Sequence, residues 1–210
     1  MLARPFGLDF TEKNGELADL DLTNTERFSN YVFGKLWAHD ATVGWGGYGE
    51  DRVLYRRSSH FGAGEELRSV HLGVDLWAEA GTPVMVPLDG VIHSFADNAN
   101  FGDYGPTLIL QHQLAFTDRF GPRLLRFFSL YGHLSRASLL GKKEGMPVKA
   151  GEVLGKLGPF PENGDWPPHL HFQLIADLQG HHGDYPGVCA PSQREAFLKN
   201  CPDPNWVLRL

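Results

Sequence analysis

Alternation is strictest in Pro167-Pro168-His169-Leu170-His171-Phe172-Gln173-Leu174-Ile175. In an extended strand, successive side chains point to opposite faces, so His169, His171 and Gln173 share one face and Leu170, Phe172 and Leu174 the other. The spacing predicts a strand with one chemical face and one core face. Shorter apolar runs predict further strands over Thr107 to Gln111 and Leu124 to Leu130, joined by a loop from Leu114 to Pro122. Gly81-Thr82-Pro83-Val84 and Gly145-Met146-Pro147-Val148 open two similar stretches, each reading as a turn into short strands. Arg52 to Arg57 alternates enough to be a strand. Helical spacing is confined to two places. Phe28, Val32 and Leu36 predict a short amphipathic helix capped by Thr23 or Asn24, and Gln193 to Lys199 a second, with capping-box spacing from Ser192 to Glu195. Residues 1–22 lack sustained periodicity and read as an arm laid over the domain. Trp37 to Tyr48, with Gly44-Trp45-Gly46-Gly47-Tyr48 at its centre, reads either as a loop walling a cleft or as aromatic anchors under a turn. The expected architecture is a compact, mainly antiparallel β fold with short peripheral helices.

Composition supports this picture. The 210 residues suffice for one medium domain with extensions, and 25 glycines and 14 prolines favour short strands and turns. A formal charge of −6 argues against nucleic acid or an anionic membrane surface as the main partner. No apolar window is long enough to span a membrane, and the first thirty residues lack a basic segment followed by an apolar core. The expectation is a cytoplasmic protein without membrane insertion. Cys189 and Cys201 flank the second predicted helix, which would hold them about 10 Å apart, beyond the roughly 7 Å that a disulfide tolerates, so reduced structural thiols are expected.

The polar face of the 169–175 strand raises the question of metal. Two imidazoles on one strand face sit about 6–7 Å apart, so one can ligate an ion while the other faces an open coordination position. A second segment, Val70-His71-Leu72-Gly73-Val74-Asp75, offers His and Asp four residues apart. On a straight strand they would be about 13 Å apart, so the chain must bend between them, and Gly73 permits it. A third, Tyr131-Gly132-His133-Leu134, ends an apolar run with a histidine. His112 reads as a strand-end histidine with a possible role in orienting a ligand; His181 and His182 lie in a Gly- and Asp-rich loop and read as solvated.

The set His71-Leu72-Gly73-Val74-Asp75, Tyr131-Gly132-His133-Leu134 and His169-Leu170-His171-Phe172, in that order, resembles the lysostaphin-type, LytM-like zinc metalloendopeptidases, many of which cut peptidoglycan peptides. The resemblance covers roughly residues 65–178. It implies one zinc ion held by His71, Asp75 and His171, with His133 and His169 as non-ligating catalytic histidines. Three protein ligands with one open position suit a catalytic zinc, which lowers the pKa of bound water to about 7 and polarises a carbonyl. The paired Gly-x-Pro-Val stretches are similar to the strand pairs of biotinyl and lipoyl carrier domains, which that fold also contains.

The expected organisation is an N-terminal arm, helix and aromatic loop over 1–64, the metallopeptidase-like domain over 65–178, and a C-terminal extension over 179–210. Trp166, Tyr104 and Trp45 are the expected substrate-binding residues, and a peptide or peptidoglycan-like molecule the expected partner; the oligomeric state is left open. Gly164-Asp165-Trp166-Pro167-Pro168 replaces the small residues of many relatives and implies a substrate other than glycine-rich crosslinks. Rival readings are a catalytically inactive or regulatory binding module using the same groove, and a cytoplasmic zinc amidase acting on a small peptide.

Overall fold

A computed structural model describes residues 4–62 and 66–209. Twelve strands follow in order: β1 (Pro5–Leu8), β2 (Val43–Gly46), β3 (Val70–His71), β4 (Val74–Trp77), β5 (Pro83–Met85), β6 (Gly90–Asn98), β7 (Gly105–Asp118), β8 (Gly121–Gly132), β9 (Pro147–Val148), β10 (Val153–Lys156), β11 (His169–Ile175) and β12 (Val188–Cys189). Eight form one sheet in the order β1-β2-β4-β11-β8-β7-β6-β9, antiparallel except where β1 joins β2. β5 pairs with β10, and β3 with β12, in two small ribbons. Helix α1 (Thr25–Ala38) and the short helices α2 (Arg194–Asn200) and α3 (Asn205–Leu208) lie outside the sheet order.

The alternation in 169–175 does what its spacing requires. Leu170, Phe172 and Leu174 enter one core with Val86, Ile92, Leu108, Leu110 and Tyr131, each such buried side chain contributing about 1.5–3 kcal/mol relative to exposure. On the opposite face, a second cluster gathers Phe10, Phe28 and Val32 of the N-terminal region with Trp77 and Trp166. A third joins Val70, Tyr104, Ile109, Leu130 and Ile175 to Tyr185, Cys189 and Cys201. The chemical face of β11 lies between these two clusters.

Helix α1 is capped by Asn24, whose side chain accepts from the Arg27 N–H, and it buries Phe28, Val32 and Leu36. Both cysteines are free and buried. Several expectations need correction. Residues 5–8 do not lie over the domain; they extend the main sheet as its edge strand. Residues 53–57 form a 3-10 turn rather than a strand. Residues 114–122 are not a loop, because β7 and β8 continue pairing to Asp118 and Gly121. Ser192 makes no capping box: its hydroxyl donates to Glu66, and the cap of α2 has no side-chain hydrogen bond. The boundary expected at residue 64 lies outside the described residues. No helix among the described residues is long and apolar enough to cross a membrane.

Candidate metal centre

Strand register assembles the site. β11 places His171 opposite Asp75 of β4 on one side and opposite Gly132 of β8 on the other. His133, the residue after Gly132, is thereby brought to the same end of the sheet. His71 arrives from β3, because the chain bends at Leu72–Gly73 and leaves the main sheet. Space explains the glycine at 73: a Cβ there would lie 2.7 Å from His171 Nε2 and 2.7 Å from the Phe172 carbonyl oxygen.

His71 Nε2, His171 Nδ1 and Asp75 Oδ1 form a triangle with edges of 3.0, 3.2 and 3.3 Å. Ligand bonds of about 2.0–2.1 Å in a tetrahedral zinc site put neighbouring donor atoms roughly 3.3 Å apart, so this triangle fits one face of such a tetrahedron. Hydrogen bonding on the far side of each ligand fixes which atom faces inward. His71 Nδ1 lies 3.0 Å from the Gly47 carbonyl oxygen, which only accepts, so Nδ1 carries the proton and Nε2 the lone pair. Gln173 donates through its amide nitrogen to the Pro186 carbonyl and to Cys201 Sγ, which leaves Oε1 to accept the His171 Nε2 proton at 2.9 Å. His171 Nδ1 is therefore its inward lone pair. Both tautomers are set for a metal by second partners of the kind that orient ligating histidines.

Asp75 is held by Arg52. The guanidinium is fully buried and donates to Asp75 Oδ2 at 2.5 Å, leaving Oδ1 toward the histidines. It also donates to Glu50 at 2.9 Å, to the Gly47 carbonyl at 3.2 Å and to the Tyr55 hydroxyl at 3.4 Å. Gly46 makes room: a Cβ there would sit 2.6 Å from an Arg52 nitrogen. Burial pushes the Asp75 carboxyl up, but the Arg52 guanidinium beside it holds it well below the usual range. Burial lowers His71 to about 4, so its imidazole is neutral at neutral pH.

His133 and His169 flank the triangle, with ring centroids 4.1 Å apart. Each donates from Nδ1 to a backbone carbonyl at 2.8 Å, of Asn163 and Pro167 respectively, which leaves Nε2 as an acceptor. Trp77 stacks on His169 at 4.1 Å and 17°. Burial lowers both histidines, His169 to about 4. His133 has φ +62°, a conformation that side-chain-bearing residues rarely adopt, and its backbone is bonded on both sides, to Tyr104 and Gly158.

These groups open onto a cleft of about 290 Å³. Tyr104 and Trp166 line it, together with Gly102, Asp103, Tyr55 and Phe61. Trp45 does not: its register partner is Leu76, on the opposite face from Asp75 and Gly46. The aromatic stretch is a strand there, and Gly46 is the residue that stands opposite Asp75, against Arg52. His181 is exposed at the cleft, His182 pairs with Glu144 at 3.0 Å, and His112 is buried mid-strand, bonded to the Asp89 carbonyl and Ser129 and taking no part in the site. Arg52 carried no sequence signal. Gln173 did: it stands two residues after His171 on the same face.

Two histidines with inward lone pairs and a carboxylate at tetrahedral spacing, beside two further imidazoles in a cleft, form a group that could hold a metal ion and match the donor types and spacing zinc requires. The chain matches the model of Peptidase family M23 over residues 69–184 and belongs to that family. The three motif segments lie inside the match. The chain is 32% identical over 133 residues to DD-carboxypeptidase/endopeptidase Mpg of Neisseria meningitidis, covering 61% of this chain and 26% of that protein, so it spans about a quarter of that relative's length. Among solved structures, the catalytic domain of lysostaphin from Staphylococcus simulans is 25% identical, with 78% of this chain and 96% of that one covered and a TM-score of 0.44. A zinc-containing peptidase from Vibrio cholerae is 23% identical, with 50% and 27% covered and a TM-score of 0.36.

Proposed function

We propose that this chain is a zinc-dependent metalloendopeptidase that hydrolyses peptide bonds of the peptidoglycan type. The observation that carries the reading is the donor triangle of His71, Asp75 and His171, with the tautomer of each histidine fixed by a second partner. Zinc held there polarises a carbonyl oxygen and acidifies water. His133 and His169 present unprotonated Nε2 atoms to the same space, so one accepts the proton of an attacking water and delivers it to the leaving amine. Their Nδ1 bonds to backbone carbonyls keep both rings from rotating away and stabilise the protonated form when it arises. Burial keeps the Tyr104 hydroxyl protonated, so it remains a hydrogen-bond donor at the cleft wall.

The wall built by Trp166 and Tyr104 supports a substrate other than glycine-rich crosslinks. Zinc-loaded protein should be incubated with purified peptidoglycan fragments, pentaglycine peptides and a cytoplasmic peptide pool, and the products read by mass spectrometry. Cleavage concentrated in the peptidoglycan peptides is expected; efficient cleavage of pentaglycine refutes the specificity, and no cleavage by protein carrying one zinc refutes the activity. His171→Ala should lose stoichiometric zinc, whereas His169→Ala should keep it and lose turnover. The opposite pattern reverses the two roles.

A further inference from the structure

The β7–β8 hairpin runs well past its neighbours. β6 pairs with β7 no further out than Gln111, and β11 meets β8 only from Phe128. From Gln113 to Arg126 every residue but Gly121 is exposed, and at about 3.3 Å per residue this ribbon projects roughly 17 Å. It is unusually apolar for such a position: Leu114, Phe116, Phe120, Leu124 and Leu125 are all exposed, Phe120 by 69% and Leu124 by 61%. An isolated two-stranded hairpin is at best marginally stable in water.

The arrangement of these side chains selects the occupant. Cross-strand pairing puts Leu114 and Leu125 on one face with Phe116, and Ala115 and Leu124 on the other, with Phe120 in the turn. A protein groove covers one face of a ribbon, whereas this one is apolar on both, which suits a medium that surrounds it. The turn is also cationic. Residues 113–127 carry Arg119, Arg123 and Arg126 against one acidic residue, Asp118, in a chain whose total is −6. The guanidiniums of Arg119 and Arg123 lie 4.7 and 5.8 Å from the Phe120 ring centre. Aromatic side chains and arginines at one tip match the headgroup layer of an anionic bilayer, where rings sit at the polar boundary and guanidiniums meet phosphates. The unpaired outer edges of both strands bar deeper entry, since their backbone groups would lose water without gaining partners.

We infer that this hairpin is a peripheral anchor that docks the protein onto an anionic lipid surface. The net charge argued against such a partner because it averages over a local basic tip. Geometry adds a consequence: Tyr104 and His133 lie at the other end of the same two strands, roughly 40 Å from the turn at strand rise, so docking holds the cleft away from the lipid.

The test is co-sedimentation of the full chain with vesicles of phosphatidylcholine alone and of phosphatidylcholine with 30 mol% phosphatidylglycerol. At least tenfold preference for the anionic vesicles is expected, weakened by salt. Phe116→Ser with Phe120→Ser, and separately Arg119→Gln with Arg123→Gln and Arg126→Gln, should each reduce binding at least tenfold with the melting temperature unchanged. Protein left in the supernatant with both vesicles, or binding indifferent to these substitutions, overturns the inference. So does a dimer in sedimentation velocity that the Phe pair abolishes without vesicle binding, which would assign the ribbon to a second copy of the chain.

Discussion

Replacing Arg52 with Met tests whether Asp75 depends on a buried cation. The substitution keeps an unbranched apolar stem and removes the guanidinium, whose side chain is fully buried against an Asp75 only 5% exposed. With Arg52 gone, Asp75 Oδ2 faces the protein interior with its strongest donor deleted, and Glu50 and the Gly47 carbonyl lose partners as well. Removing one member of a buried ion pair costs about 3–5 kcal/mol, most of it the penalty of the charge left behind. For a chain of this size 1 kcal/mol moves the melting temperature by about 2–4 °C, which gives a fall of roughly 6–20 °C. The fall should be largest in chelator, because a divalent cation on Oδ1 offsets part of the stranded negative charge.

The assay is thermal unfolding by circular dichroism, in EDTA and in excess zinc, for the native chain, Arg52→Met, Arg52→Lys and Gly46→Ala. Lysine keeps the charge but not the planar fork, so it should fall between native and methionine. Gly46→Ala leaves the arginine in place and pushes it, because the new Cβ would stand 2.6 Å from its terminal nitrogen; it should move stability in the same direction. An Arg52→Met protein melting within 2 °C of native in EDTA refutes the dependence. An equal gap with and without zinc refutes the link to the metal.

Gln173→Leu should leave the fold intact and strand the His171 Nε2 proton; chelator competition should show zinc affinity weaker by about 10–100-fold, and unchanged affinity would remove Gln173 from the orienting role. His112 supplies a pH test remote from the metal. Burial lowers its folded value below the ordinary 6.5, so the unfolded chain binds more protons in between, and stability present above about pH 6.5 is lost as pH falls. Urea unfolding of zinc-loaded protein at pH 7 and 5.5 should therefore show His112→Gln losing less stability than native, by up to about 1.4 kcal/mol per unit; parallel losses would place the acid sensitivity elsewhere.

The parts of this molecule legible in the sequence are those where one periodicity serves both packing and chemistry. Leu170, Phe172 and Leu174 must be buried, and their spacing alone puts His169, His171 and Gln173 on the other face. The helix over Thr25–Ala38 was equally plain, since Asn24 and the Phe28, Val32, Leu36 spacing agree. Trp45 misled because a strand of alternating glycine and aromatic residues does not reveal which set faces the site; the pairing with β4 decides, and it sets Gly46, not Trp45, opposite Asp75. The hairpin from 113 to 126 misled for the opposite reason. It is apolar on both sides and exposed on both, so no alternation marks it as strand. Arg52 was illegible because its partners come from turns and from β4, and nothing local distinguishes a buried arginine from a solvated one.

Strand register also ties stability to chemistry in this fold. A strand shifted by one residue exchanges its faces, so a slip of β11 would bury His169 and His171 among Val86, Leu108 and Tyr131 and expel Phe172. The core contacts that forbid that slip are the ones that set His171 opposite Asp75 and Gly132. Hydrophobic burial thereby fixes the positions of two of the three donors and both flanking histidines, leaving His71 to be placed separately. That residue stands beyond the bend at Gly73, paired with Val188 of β12 and bonded to the Gly47 carbonyl. The donor triangle thus closes through two independent constraints, the register of the main sheet and the docking of a small ribbon from the C-terminal region. The residues after 179 are accordingly part of what holds the donor triangle together, through Val188, Pro186 and Cys201.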